Sequence, residues 1–249
     1  MAEKPVPIQS TVRRPQPEPE ALAVTVVHED ECLIIVDKPP GMVVHPTYRN
    51  WSGTLVNALL WHVRGRAGVR PRVVTRLDRD TSGLVLVALA PEVQARIQRD
   101  AAAGLVRKDY LAFVRGTPAP ARGTIALPLA RSPEDRRRVV VADTGQPCET
   151  RYEVMTSYEP GPCSLVRCEL VTGRTHQIRV HLASCGWPIL GDPVYGVPHE
   201  ALARQALHAW RLTLPHPVSR ELLSIEVPLP PDLLGLVGET GHEGTGTRR

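Results

Sequence analysis

Phenylalanine occurs once in this chain of 249 residues, and lysine only at positions 4, 38 and 108. Lys and Arg together number 30 against 26 Asp and Glu, so nearly all of the positive charge is arginine and the net charge is +4. So small an excess favours a polyanion partner only weakly, and arginine in place of lysine can reflect genomic base composition. The five cysteines, at 32, 148, 163, 168 and 185, are odd in number and contain no C-x-x-C pair. They indicate neither a disulfide framework nor a zinc site, and a reducing compartment is expected. No apolar h-region opens the chain, and no stretch approaches the ~18 apolar residues of a membrane span. A cytoplasmic protein without a membrane partner is the expectation. Also missing are a G-x-x-x-x-G-K phosphate loop, G-x-G-x-x-G, H-E-x-x-H and G-x-S-x-G.

What is present begins with a Pro-rich segment, Pro5, Pro7, Pro15, Pro17 and Pro19 among Glu, Gln and Arg. It cannot bury apolar surface, so residues 1–20 are expected to form a flexible tail. Residues 23–27 and 33–36 read as strands about an acidic turn, and 42–46 as a brief apolar resumption after the Pro39-Pro40-Gly41 loop. Leu55, Ala58, Leu59 and His62 fall at helical spacing. Pro91 opens a second helix that Gly104 ends, and 110–114 is a further strand. A hairpin-like stretch over 123–150 carries Arg136-Arg137-Arg138 and the turn Asp143-Thr144-Gly145. Strands are expected at 150–157, 164–171, 207–214 and 222–227.

Residues 172–186 read as a helix with Thr175 at its N-cap and Gly186 closing it, Ile178, Leu182 and Cys185 forming the buried stripe. Arg179, four residues after Thr175, is expected on its polar face, and His176 and His181 at a surface or interface. Many strands with a few helices out of strict βαβ order give an α+β fold with a largely antiparallel mixed central sheet flanked by helices and loops. Residues 21–235 are expected to be one domain, and 236–249 a Gly-rich tail.

The chemistry centres on Arg76-Leu77-Asp78-Arg79-Asp80-Thr81-Ser82-Gly83, a charged turn running into the apolar Leu84–Ala88. A carboxylate nucleophile must be ionised, accessible and oriented, and an arginine partner favours its charged form. Arg76, Arg79, Arg174 and Arg179 are candidates. On spacing alone, a catalytic Asp78 and a structural salt bridge stand equally. A glycosidase pair of Asp78 and Asp80 would need carboxylates ~5 Å apart, and the chain is poor in the aromatics that line sugar sites.

Lys38–Pro46, RLDRDTSGLVLVA at 76–88, GRTHQIRVHLA at 173–183 and PILGDPVYG at 188–196 resemble, in order, the RluA-type pseudouridine synthases. The similarity spans roughly residues 22–230, nearly all of the chain expected to be ordered. It implies a cofactor-free isomerase with no metal site, its catalytic domain over 21–235 carrying the active site in a central cleft, that converts uridine in ribosomal or transfer RNA to pseudouridine. In the family pattern the essential aspartate falls on Asp78, the active-site tyrosine of K-x-Y on Tyr110, and the arginine partner of the aspartate on Arg179. Arg76 corresponds to the arginine that enters the RNA stack. Thr81, Arg174, His176 and Leu182 complete the expected RNA- and substrate-binding set. Two departures stand out: Thr75 where many members have histidine, and a Pro-rich tail where many carry an S4-type RNA-binding domain. A monomeric catalytic domain finding its RNA alone is therefore expected, the alternative being a non-catalytic RNA-binding module of the same fold.

Overall fold

The apolar runs on either side of the acidic turn form the first hairpin of the computed structural model, which describes residues 16–47, 50–158 and 163–239. Strands β1 (Thr25–Glu29) and β2 (Leu33–Lys38) pair antiparallel. Asp30 closes their turn, its Oδ1 accepting the N–H groups of Cys32 and Leu33 at 2.8 and 2.9 Å. Helix α1 (Leu55–His62) starts at Thr54, whose hydroxyl accepts the Asn57 N–H while the Asn57 side chain accepts that of Thr54. Then follow β3 (Arg72–Val73), β4 (Ser82–Ala88), α2 (Pro91–Ala102), β5 (Arg107–Arg115), β6 (Arg122–Ile125), β7 (Leu129–Arg131) and β8 (Val139–Val141). The order ends with β9 (Thr150–Tyr158), β10 (Cys163–Leu170), α3 (Gln177–Ser184), β11 (Leu207–Pro215), β12 (Leu222–Glu226) and α4 (Pro231–Glu239).

One sheet runs β1-β2-β4-β11-β5-β10-β9-β6, with β3 beside β4 and β12 beside β11, and β7–β8 is a separate two-stranded ribbon. Among the described residues every pairing of these strands is antiparallel except β4 with β11. This is the α+β class and largely antiparallel mixed sheet expected. All seven residues of β4 are buried, because alternate side chains feed two cores. Leu84, Leu86 and Ala88 pack with Val93 and Ile97 of α2, and Val85 and Val87 with Leu55 and Leu59 of α1. A third core lies around α3 and β5, and Leu233 of α4 seals it.

The parallel contact sets the site. His208 and Ala209 of β11 register with Ser82 and Gly83 of β4. Gly83 has φ +109°, and a Cβ there would lie 2.2 Å from the Ala209 carbonyl oxygen, so only glycine lets the strands approach.

Several expectations shift at the edges. Residues 42–46 form no strand, and the stretch from 123 to 150 holds three short strands, β6 to β8. Helix α4 crosses the expected boundary at 235 because Leu233 and Leu236 face the core. Of the expected N-terminal tail, residues 1–15 lie outside the described residues, but Glu18 and Glu20 are tied to α1. The Asn57 amide donates to the Glu18 carbonyl at 2.7 Å, and the Gly53 N–H to the Glu20 carboxylate at 2.9 Å.

Candidate active site

Asp78 sits on the loop that enters β4, and that loop is fixed from several sides. The Thr81 N–H closes a turn on the Asp78 carbonyl at 3.2 Å. Lys38, fully buried, donates its ammonium to the carbonyls of Pro39, Met42 and Arg79 at 2.7, 3.0 and 3.0 Å. Burial pulls its pKa down to about 8, partly opposed by the charges of Asp80 and Asp78. Arg204 donates to the Asp80 carbonyl at 3.1 Å and Gln205 to the Thr81 hydroxyl at 3.1 Å. The Thr75 hydroxyl accepts the Leu86 N–H at 2.9 Å, sewing the residue before Arg76 to β4.

The opposite wall comes from the loop before α3. Gln177 is buried, and its amide organises that loop: Nε2 donates to the Glu149 carbonyl and the Thr150 hydroxyl at 2.9 and 3.0 Å. Its Oε1 accepts from the Thr172 hydroxyl and the Arg174 N–H, both at 3.0 Å. The helix accordingly begins one residue later than Thr175 capping would require. His176 holds the N-cap position at φ 55°, in the left-handed region that histidine tolerates better than most residues, without a side-chain cap.

Arg179 is the second correction. It does not leave the helix on a polar face; its side chain is 5% exposed. Its Nη1 donates to Asp78 Oδ2 at 2.8 Å, while Nε and Nη2 grip Asp192 in a fork at 2.7 and 2.8 Å. The Asp192 side chain is fully buried, and its Oδ1 also accepts the N–H groups of Val194 and Tyr195 at 2.9 and 3.1 Å. Burial pushes the Asp192 carboxyl upward, but the Arg179 hydrogen bond and charge outweigh it and hold the group below its usual range. Burial alone would lower the Arg179 pKa; the two aspartates drive it up instead.

Between the walls lies a cleft of about 430 Å³, lined by Arg76, Asp78, Lys108, Tyr110 and Arg174 among others. A recess of about 50 Å³ continues from Asp78 and Tyr110 to Thr81, His176 and Arg179. Tyr110 is buried at the cleft wall, and burial, with the Asp78 charge, raises its pKa. Arg76 and Arg174 are exposed at the mouth. Thr81 is buried behind Asp78.

Leu182 is not part of this site. It is fully buried within the α3 core, as its place in the apolar stripe with Ile178 predicts, and it lines neither space because it lies a turn further along the helix. His181 is likewise buried, its ring nitrogens 2.9 Å from the Thr150 hydroxyl and the Leu127 carbonyl. Cys185, half-buried, caps α3 rather than belonging to it. Sequence reading missed Asp192, Gln177 and Tyr195. The first could have been sought, because a buried arginine needs more counter-charge than one partly exposed carboxylate supplies.

A single anchored carboxylate beneath a rim of cations is a cleft suited to a polyanionic substrate, built on a mixed sheet. Two human proteins share that fold: RNA pseudouridylate synthase domain containing 4 (TM-score 0.70, 23% identity, covering 87% of this chain and 92% of that one) and domain containing 1 (TM-score 0.67, 25% identity, covering 92% and 98%). Residues 32–184 match the family described as RNA pseudouridylate synthase. The chain is 45% identical over 228 residues to the ribosomal large subunit pseudouridine synthase D of Nitrosomonas europaea, covering 88% of this chain and 65% of that protein. It is 38% identical over 241 residues to an uncharacterised RNA pseudouridine synthase of Bacillus subtilis, covering 92% and 78%. The chain belongs to the RNA pseudouridylate synthase family, and it spans just under two thirds of the Nitrosomonas protein's length. Among the described residues, no helix is long and apolar enough to cross a membrane.

Proposed function

We propose that this chain isomerises uridine to pseudouridine in RNA, with Asp78 as the nucleophile. The observation that carries the reading is the Asp78 carboxylate, a quarter exposed in the cleft and anchored by a buried arginine that Asp192 locks from behind. A carboxylate held this way is accessible and fixed in direction, which is what a nucleophile needs. The reaction conserves atoms: the C1′–N1 bond breaks, C1′ joins C5, C5 loses its proton and N1 gains one. No redox partner or group donor enters that balance.

The uracil must first leave its stack, at a cost of a few kcal/mol, and settle in the cleft. Tyr110 offers the flipped base an aromatic face beside Asp78. Arg76, exposed at the mouth, takes the vacated place in the RNA, and Arg174 contacts phosphate. The names of relatives point to the large ribosomal subunit as the source of the RNA; action in the cytoplasm, as a monomer, is part of the same proposal. Incubating the purified chain with unmodified large-subunit ribosomal RNA and, separately, with transfer RNA tests this. Pseudouridine at defined ribosomal positions supports the reading; formation in transfer RNA alone overturns the substrate, and formation in neither overturns the activity.

A further inference from the structure

The recess behind Asp78 holds a chain of hydrogen-bonding groups that reaches the β7–β8 ribbon. The Val139 N–H, on β8, donates to Tyr195 Oη at 2.8 Å. That oxygen lies 2.8 Å from His176 Nδ1, with the two rings edge to face, centroids 5.5 Å apart. The backbone amide uses the phenol as an acceptor, and among the described residues Nδ1 is the only acceptor within reach of the phenol's own proton, so the Tyr195 hydroxyl donates to it. The other end agrees: His176 Nε2 faces Asp78 Oδ2 at 3.9 Å, and a carboxylate can only accept. Both neighbours select the tautomer that carries its proton on Nε2. Burial together with the Arg179 charge lowers the ring's pKa, against the pull of Asp78 and Asp192; Arg131 and Arg138 also face this network.

We propose that His176 is a positioning residue for Asp78, closing its Nε2–H onto Oδ2 when RNA fills the cleft. At 3.9 Å the contact is too long for a hydrogen bond, and catalytic hydrogen bonds commonly tighten only with substrate bound. Arg179 Nη1 already addresses the same oxygen. With both donors on Oδ2, and none on Oδ1 among the described residues, Oδ1 is the oxygen presented to the substrate. The left-handed backbone at His176 is what aims the ring along this line. The Tyr195 link also ties the orientation of Asp78 to the ribbon whose loop carries Arg136–Arg138, so RNA seated on that loop bears on the carboxylate through two side chains.

The inference rests on the isomerase reading, and three variants separate the two. The Gln side-chain nitrogen reaches the position of Nε2, whereas that of Asn reaches only that of Nδ1; Asn, however, suits the left-handed backbone better. Single-turnover rates and RNA affinities are measured for wild type, His176→Gln, His176→Asn and Tyr195→Phe. The expected result is near wild-type turnover for Gln and a loss of about 10- to 100-fold for Asn and for Tyr195→Phe, with RNA affinity changing by far less than the rate in each. Asn matching or exceeding Gln overturns the proposal, since His176 would then serve only the backbone. Wild-type turnover in Tyr195→Phe overturns it too, and that variant decides alone if the Gln variant does not fold. Absence of wild-type turnover overturns the isomerase reading along with it.

Discussion

Replacing Asp192 by Ala isolates the group that holds the arginine rather than the one that faces the cleft. Arg179 is 5% exposed and Asp192 not at all, so the change leaves a buried guanidinium with Nε and Nη2 unpaired. Breaking a buried pair from one side costs about 3–5 kcal/mol. The Val194 and Tyr195 N–H groups lose their acceptor as well, at about 1 kcal/mol each if water does not replace it. These losses share one site and do not sum, so about 4 kcal/mol is expected for the variant. In a domain of this size that lowers the melting temperature by roughly 8–16 °C. Asp78→Ala is the control. Its side chain is a quarter exposed and its loss leaves the Arg179–Asp192 fork whole, so about 1 kcal/mol or less is expected. Urea unfolding of both variants, with the m-value checked for constancy, gives the two differences. Asp192→Ala costing no more than Asp78→Ala would refute the assignment of Asp192 as the anchor. Because the Asp192 carboxyl is held below its usual range, its contribution is present above the unfolded-state pKa and fades as pH falls below it.

Three further outcomes follow from the same structure. His208, buried between the Ser82 hydroxyl (2.9 Å) and the Val227 carbonyl, is pushed by burial from 6.5 to about 4. The unfolded chain therefore binds that proton first; stability is whole above pH 6.5 and falls by about 3 kcal/mol as pH drops toward 4. His208→Gln should flatten that limb in a melting series against pH. Gly83→Ala should prevent soluble expression or lower the melting point by roughly 8–16 °C, which is what ~4 kcal/mol of backbone clash produces. Gly41→Ala, with φ +83° but nothing within 4 Å, should cost only about 1 kcal/mol. Replacing Arg136, Arg137 and Arg138 together by Ser should weaken RNA binding and lower its salt slope by about one to two rather than three. Arg137 is already paired with Asp135 at 2.9 Å and Arg138 with the Val194 carbonyl at 2.8 Å. An unchanged slope would remove the ribbon from the RNA path.

Local pattern in the sequence was enough to read the strands on either side of the acidic turn, the buried run Leu84–Ala88 and the helix opened by Pro91, because each carries its own period and its own stop signal. The β4–β11 parallel contact was not legible: Gly83 meets Ala209 across more than a hundred residues, and no local signal announces such a neighbour. Helix α3 shows the limit most clearly. Its apolar stripe was readable, but the loop before it is set by Gln177 reaching back to β9, so the start moved and His176 took a left-handed conformation. Burial of Arg179 and His181 depended on partners at Asp192 and Thr150 that spacing cannot reveal. Leu182, read as a substrate contact by family pattern, is core here.

The central claim is that Asp78 carries out the chemistry. Asp78→Asn keeps the size and one acceptor oxygen while removing the charge, and the Arg179–Asp192 fork should hold the fold together. The purified variant, shown by thermal unfolding to be folded and by titration to bind ribosomal RNA, should form no pseudouridine over times in which wild type converts its substrate fully. Pseudouridine accumulating in the presence of the folded variant would contradict the assignment of the nucleophile.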